Sequence, residues 1–147
     1  MSDASVAGKL DELAGELQEL EPRERLEVLL EFAENLPPLP ARFQAEKEAG
    51  EHRVHECQTP VFIWVEAPDG RVQIHADVAP EAPTVKGFVG ILADLFNGAQ
   101  PAEILALDQN LVQRLGLLEA LGMVRMRGLQ AIAFYMRKQI ARLAEAS

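Results

Sequence analysis

Cys57 is the one cysteine in a chain of 147 residues. It stands in the segment His52-Arg-Val-His-Glu-Cys-Gln-Thr-Pro60, just ahead of an apolar run. A thiol reacts as the thiolate, so nearby charge decides its chemistry. Arg53, and His52 or His55 when protonated, favour the thiolate; Glu56 opposes it. Two readings stand side by side. An isolated cysteine is most often a small buried hydrophobe. Here four of the six nearest positions are polar, and Pro60 fixes the chain as it enters the next element. A thiol on a loop held by a rigid sheet can reach a partner.

Other chemistries fit these residues poorly. His52, His55 and Cys57 could ligate zinc in principle, but the His-x2-His-x-Cys spacing is short for three tetrahedral ligands and no fourth is evident, so no tightly bound metal is expected. A Cys/His hydrolase needs an acyl-binding cleft and an orienting third residue, and nothing marks either. Lys86-Gly87 lacks the other glycines of a phosphate loop. Gly87 with Gly90 is better suited to close helix packing.

The composition narrows the class. The net charge is -9, which argues against nucleic acid and anionic membrane as partners. Residues 1–56 carry a balance of -8 and residues 57–147 a balance of -1. Arg125, Arg127, Arg137, Lys138 and Arg142 form a basic stretch without an acidic residue. It reads as a solvated helix face or a docking patch for an acidic surface. No apolar run approaches the ~18 residues of a membrane span, and Met1 to Leu20 has no secretory pattern. A lone cysteine excludes a disulfide framework. A reducing, cytoplasmic setting is expected, with residues 1–147 as one domain.

The elements that position Cys57 follow from periodicity. Leu10, Leu13, Leu17 and Leu20 predict a helix over 6–20. Pro22 opens a second, with Leu26, Leu29, Leu30 and Ala33 as its stripe, ended by Pro37, Pro38 and Pro40. A short helix fits 41–49, closed by Gly50. Val61-Phe-Ile-Trp-Val65 predicts a strand covered on both faces. Asp69-Gly70 is a turn, and Val72, Ile74 and Ala76 alternate as its antiparallel partner. Pro83 and Thr84 open a helix with Val85, Phe88, Val89, Leu92, Leu95 and Phe96 on one face. Short helical pieces fill 101–122. A last helix runs from about Arg127 to Leu143. The expected class is α+β, a small antiparallel β-sheet covered by helices.

The run Val54-His-Glu-Cys57-Gln-Thr-Pro-Val61 resembles the cysteine motif of the SufE family. Three further elements match in order: Leu36-Pro-Pro-Leu39 upstream, His75-Ala-Asp77 with Thr84-Val-Lys86-Gly87-Phe88, and Arg125-Met-Arg127-Gly128-Leu129. The resemblance spans roughly residues 20–145. Glu56 stands where the family usually has glycine, and Thr59 where serine is common. The resemblance implies a fold shared with IscU-type scaffolds. It implies that Cys57 accepts persulfide sulfur from a SufS-like cysteine desulfurase, stimulates that enzyme, and passes sulfur to an iron–sulfur scaffold. Gln58, Thr59, Asp77, Lys86 and Arg125 match supporting positions, and Arg125 and Arg127 are the expected partner contacts. Lys138, three to four turns beyond Arg125, falls outside that patch. Pyridoxal phosphate belongs to the partner, so no cofactor is expected here. The alternative is a single-thiol redox adaptor or sensor.

Overall fold

Strands β1 (Val61–Glu66) and β2 (Gln73–Val78) form a two-stranded antiparallel hairpin. Its register pairs Val61 with Val78, Ile63 with Ala76 and Val65 with Ile74 on one face. Phe62, Trp64 and Glu66 oppose Asp77, His75 and Gln73 on the other. This computed structural model describes residues 5–146.

The chain order is α1 (Val6–Glu19), α2 (Pro22–Asn35), α3 (Gln44–Glu48), the hairpin, then α4 (Pro83–Phe96), α5 (Pro101–Leu105), α6 (Leu111–Arg114), α7 (Leu117–Leu121) and α8 (Met123–Ala146). The fold is α+β, a small antiparallel sheet covered by helices. The inner face of the sheet, with Val61, Ile63, Ala76 and Val78, joins a core built around α4. The outer face carries a smaller cluster of Phe43, Phe62 and Trp64. Both faces of β1 are therefore covered, as its unbroken apolar run requires.

Helix α4 is not one-sided. Phe88, Val89, Ile91, Leu92, Ala93, Leu95 and Phe96 are all buried, so it is the central helix, with Asp94 left exposed. Its contact with α2 is close enough to need glycine. A Cβ on Gly87 would fall onto the Leu29 carbonyl, and one on Gly90 would lie 2.6 Å from the Phe32 carbonyl oxygen.

Helix α2 also departs from its expected stripe. Leu30 is 41% exposed, and Arg25 is buried at 5%. The reason is the C-terminus of α1, whose last carbonyls lack intrahelical donors. Arg25 Nε donates to the carbonyl oxygens of Leu17 (2.7 Å) and Leu20 (3.2 Å). Its Nη1 donates to the Gly116 carbonyl at 2.8 Å. One guanidinium thus ties α1 to the bend ahead of α7.

Helix α8 begins at Met123, about one turn before the expected start. Met126 joins Leu129, Ile132, Met136 and Ile140 on its buried stripe. Ala133 and Leu143 are only partly buried.

Candidate functional site: a sheltered thiol under the last helix

The Cys57 loop is tied at both ends. The Val54 amide donates to the Val61 carbonyl at 2.9 Å, and the Ile63 amide to the His52 carbonyl at 2.9 Å. The incoming arm is thereby laid along β1, with Arg53 bridged to Phe62. His52 takes a left-handed backbone, φ 63°, which costs energy outside glycine. Its ring stacks on Trp64 at 5.2 Å, and its Nε2 lies 3.4 Å from Glu46. Trp64 in turn donates Nε1–H to Glu46 at 2.5 Å. The outer-face cluster therefore fixes the arm that carries the thiol.

Between the ties the chain makes a tight turn. The Cys57 amide donates to the Val54 carbonyl at 3.2 Å. Glu56 lies inside this turn without a positive φ; among the described residues only His52 and Asp69 have one outside glycine. Glutamate can therefore occupy the family's glycine position here without backbone strain. Pro60 accepts from the Ala79 amide at 3.2 Å, anchoring the exit of the loop to the end of β2.

The thiol itself is covered. Cys57 is 5% exposed, although Glu56 and Gln58 on either side are exposed. The sulfur lies 3.8 Å from the Gly128 carbonyl on α8, to which the thiol donates. A Cβ at Gly128 would sit 3.5 Å from Sγ. The sequence left the buried and the reachable thiol open, and the described geometry is buried. Burial is the main cause that pushes the thiol pKa up; Glu56 adds to it and Arg53 works against it. Both effects favour the neutral thiol over the anion.

The other expected site residues divide into groups. Gln58 is exposed and Thr59 half-buried in the same loop. Arg125 is exposed on α8 and donates to Thr84 Oγ1 at 3.1 Å, linking α8 to the start of α4. Asp77 pairs with Lys47 at 2.7 Å. Asp77 and Lys86 line one cavity of about 230 Å³ with Leu36, Pro37, Pro38 and Leu39. The sequence elements around Leu36, Asp77 and Lys86 thus converge in space. Arg127 lines a different cavity, which includes Glu56 beside the thiol. Lys138 lines that same cavity, so its distance along the helix does not remove it from the loop. Tyr135, which sequence reasoning did not single out, also lines it. Its phenol pKa is raised, first by burial, against the pull of Arg142 and with the push of Glu56.

Metal chemistry has little to build on. Among the described residues no three His, Cys, Asp or Glu side chains group as metal ligands. His52 is turned to Trp64 and Glu46, and His55 is exposed. Among the described residues no helix is long and apolar enough to cross a membrane.

A helix-covered hairpin with one thiol closed in under its last helix defines a single-cysteine α+β domain. The chain belongs to the SufE family, since the model of the SufE Fe-S metabolism associated domain matches residues 11–140. An uncharacterized SufE-like protein of Mycobacterium tuberculosis is 35% identical over 93% of this chain and 94% of its own length. Another, from Synechocystis, is 29% identical over 87% of this chain and 77% of its own. The solution structure of a hypothetical protein from Thermus thermophilus superposes with a TM-score of 0.78 at 35% identity, covering 95% of this chain and 97% of that one. The family places the chain in Fe-S metabolism.

Proposed function

We propose that Cys57 accepts sulfane sulfur from a pyridoxal-phosphate cysteine desulfurase, stimulates that enzyme, and passes the sulfur to an iron–sulfur scaffold. The single observation that carries this reading is the geometry of Cys57. It is a lone thiol on a two-ended loop, closed in against Gly128 within a SufE-family fold.

The transfer balances without an external oxidant. The Cys57 thiolate attacks the outer sulfur of the partner's persulfide. A new S–S bond forms at Cys57 as the partner's S–S bond breaks. The partner leaves as thiolate and takes up the proton that Cys57 gave up, while Cys57 ends as the persulfide. This is thiol–disulfide exchange with a terminal sulfur as the transferred group. Pyridoxal phosphate stays with the partner, and this chain acts as carrier and activator rather than a stand-alone enzyme.

Shelter suits such a carrier, because a persulfide exposed to solvent is lost to thiols and oxidants. A redox sensor needs the opposite, an accessible cysteine with a low pKa. Burial and the upward pKa shift weigh against that alternative. The test is intact mass after incubation with a cysteine desulfurase and cysteine. The expected result is a gain of one sulfur atom, removed by reductant and absent in Cys57→Ser. Unmodified wild-type protein, together with undiminished desulfurase stimulation by Cys57→Ser, would sink the reading.

A further inference from the structure

Two adjoining cavities flank the Cys57 loop on the side of α8. One, of about 450 Å³, is lined by Glu56, Arg127, Ala131, Phe134, Tyr135 and Lys138 among others. The next, of about 500 Å³, continues past Tyr135 and Lys138 to His55, Arg53 and Arg142. They share Tyr135 and Lys138 and form one trough between α8 and the arm that enters the loop. Its walls carry four fixed cations, Arg53, Arg127, Lys138 and Arg142, against two carboxylates, Glu51 and Glu56. His52 and His55 add charge when protonated. This local excess of positive charge stands in a chain of net charge -9.

The trough cations belong to the part of the basic set that is not neutralised within the fold, as do Lys86 and Arg125. Arg25, Arg42, Lys47 and Arg114 each pair with a carboxylate. Among the described residues, none of the four trough cations has an ion-pair partner. The floor is apolar at one end, where Phe134 is 62% exposed. Arg127 and Arg142 are 15 residues apart on α8, so the cations extend over roughly 22 Å. That is too long for one small anion. It matches about seven residues of extended chain.

We propose that this trough docks an acidic, partly apolar segment of the protein that delivers sulfur to Cys57. The inference rests on the sulfur-acceptor reading and adds to it the surface that holds the donor. Glu56 is the chain neighbour of Cys57 and one wall of the trough, so a protein whose sulfur reaches Cys57 lies beside it. Carboxylates on the segment meet Arg53, Lys138 and Arg142, and an apolar side chain covers Phe134.

The experiment measures sulfur transfer from the organism's own cysteine desulfurase to wild type and to the Lys138→Glu/Arg142→Glu double variant. A Lys9→Glu/Arg23→Glu variant, on α1 and α2, carries the same change in net charge. Alkylation of Cys57 by iodoacetamide reports on the loop without a protein partner. The trough variant should raise the KM for transfer by about tenfold or more and flatten its salt dependence. Its alkylation rate and melting temperature should match wild type, and the charge control should transfer normally. Normal KM in the trough variant, equal losses in both variants, or an equally changed alkylation rate would each overturn the docking site while leaving Cys57 as acceptor. A wild-type protein that accepts no sulfur would remove the acceptor reading and the docking site with it.

Discussion

Gly128 lies against the thiol, so substitution there tests whether this cover limits its reactivity. Among the described residues Cys57 Sγ is the one atom across from it that a new Cβ would meet, at 3.5 Å. That is ordinary van der Waals contact, so Gly128→Ala fits without moving the loop. It also removes a glycine from the interior of α8, worth about 1 kcal/mol in helix propensity. The alanine variant should melt a few degrees higher and keep its thiol covered. Gly128→Leu is different. Its added carbons occupy the place of the sulfur, and overpacking of this kind costs about 1–3 kcal/mol. The cheapest relief is outward movement of the Cys57 turn, because the ties at Val54 and Val61 lie at the base of the loop.

The assay is iodoacetamide alkylation followed by intact mass across a range of pH. Burial raises the pKa of the wild-type thiol. Its rate should therefore climb only as pH passes above the ordinary thiol value. In Gly128→Leu the main cause of that shift is gone, so the midpoint should fall toward the ordinary value of about 8.5. The rate at neutral pH should rise roughly tenfold, equivalent to about 1.4 kcal/mol of lost protection. Gly128→Ala should stay within about twofold of wild type. A folded Gly128→Leu with wild-type rate and midpoint would refute the shelter argument.

Two further predictions concern the frame around the site. Replacing Arg25 by Met strands the carbonyls of Leu20 and Gly116, while that of Leu17 keeps the Leu20 amide, at a cost of about 3 kcal/mol, readable by urea titration. Glu119→Gln, which removes the exposed carboxylate 3.3 Å from Arg25 Nη1, should cost under about 1 kcal/mol. Gly87→Ala should destabilise by about 2 kcal/mol, because its Cβ meets the Leu29 backbone and forces α2 from α4. Gly15→Ala, where nothing lies within 4 Å, should instead stabilise by about 1 kcal/mol; thermal melts of the two variants should move in opposite directions.

The parts of this fold legible in the sequence are those decided by near neighbours. The hairpin follows from the β-branched run at Val61 and the turn at Asp69-Gly70. The helix contact at Gly87 and Gly90 follows from two small residues on one face. Arg25 was not legible, because its partners are carbonyls from a helix end and from Gly116, 91 residues away. The cover over Cys57 was hidden for the same reason. Its flanking residues are polar and exposed, but the atom that covers it belongs to Gly128, 71 residues downstream. Lys138 shows the converse error. Counting turns along α8 removes it from the loop, whereas the packing of residues 50–56 beside α8 brings it back.

Helix α8 thus presents neighbouring faces to the Cys57 loop. Gly128 covers the thiol, while Arg127, Phe134 and Lys138 face the trough beside the same loop. Energetics make the arrangement workable. Moving the tip of the loop forfeits the burial of one small side chain and a weak S–H contact, about 1 kcal/mol. It need not break the 2.9 Å bonds that join the arm to β1. On the docking proposal, contacts made in the trough offset that cost. On that proposal the thiol is expected to stay closed in the free protein and to open when the sulfur donor lies against α8, with the bonds between the arm and β1 kept.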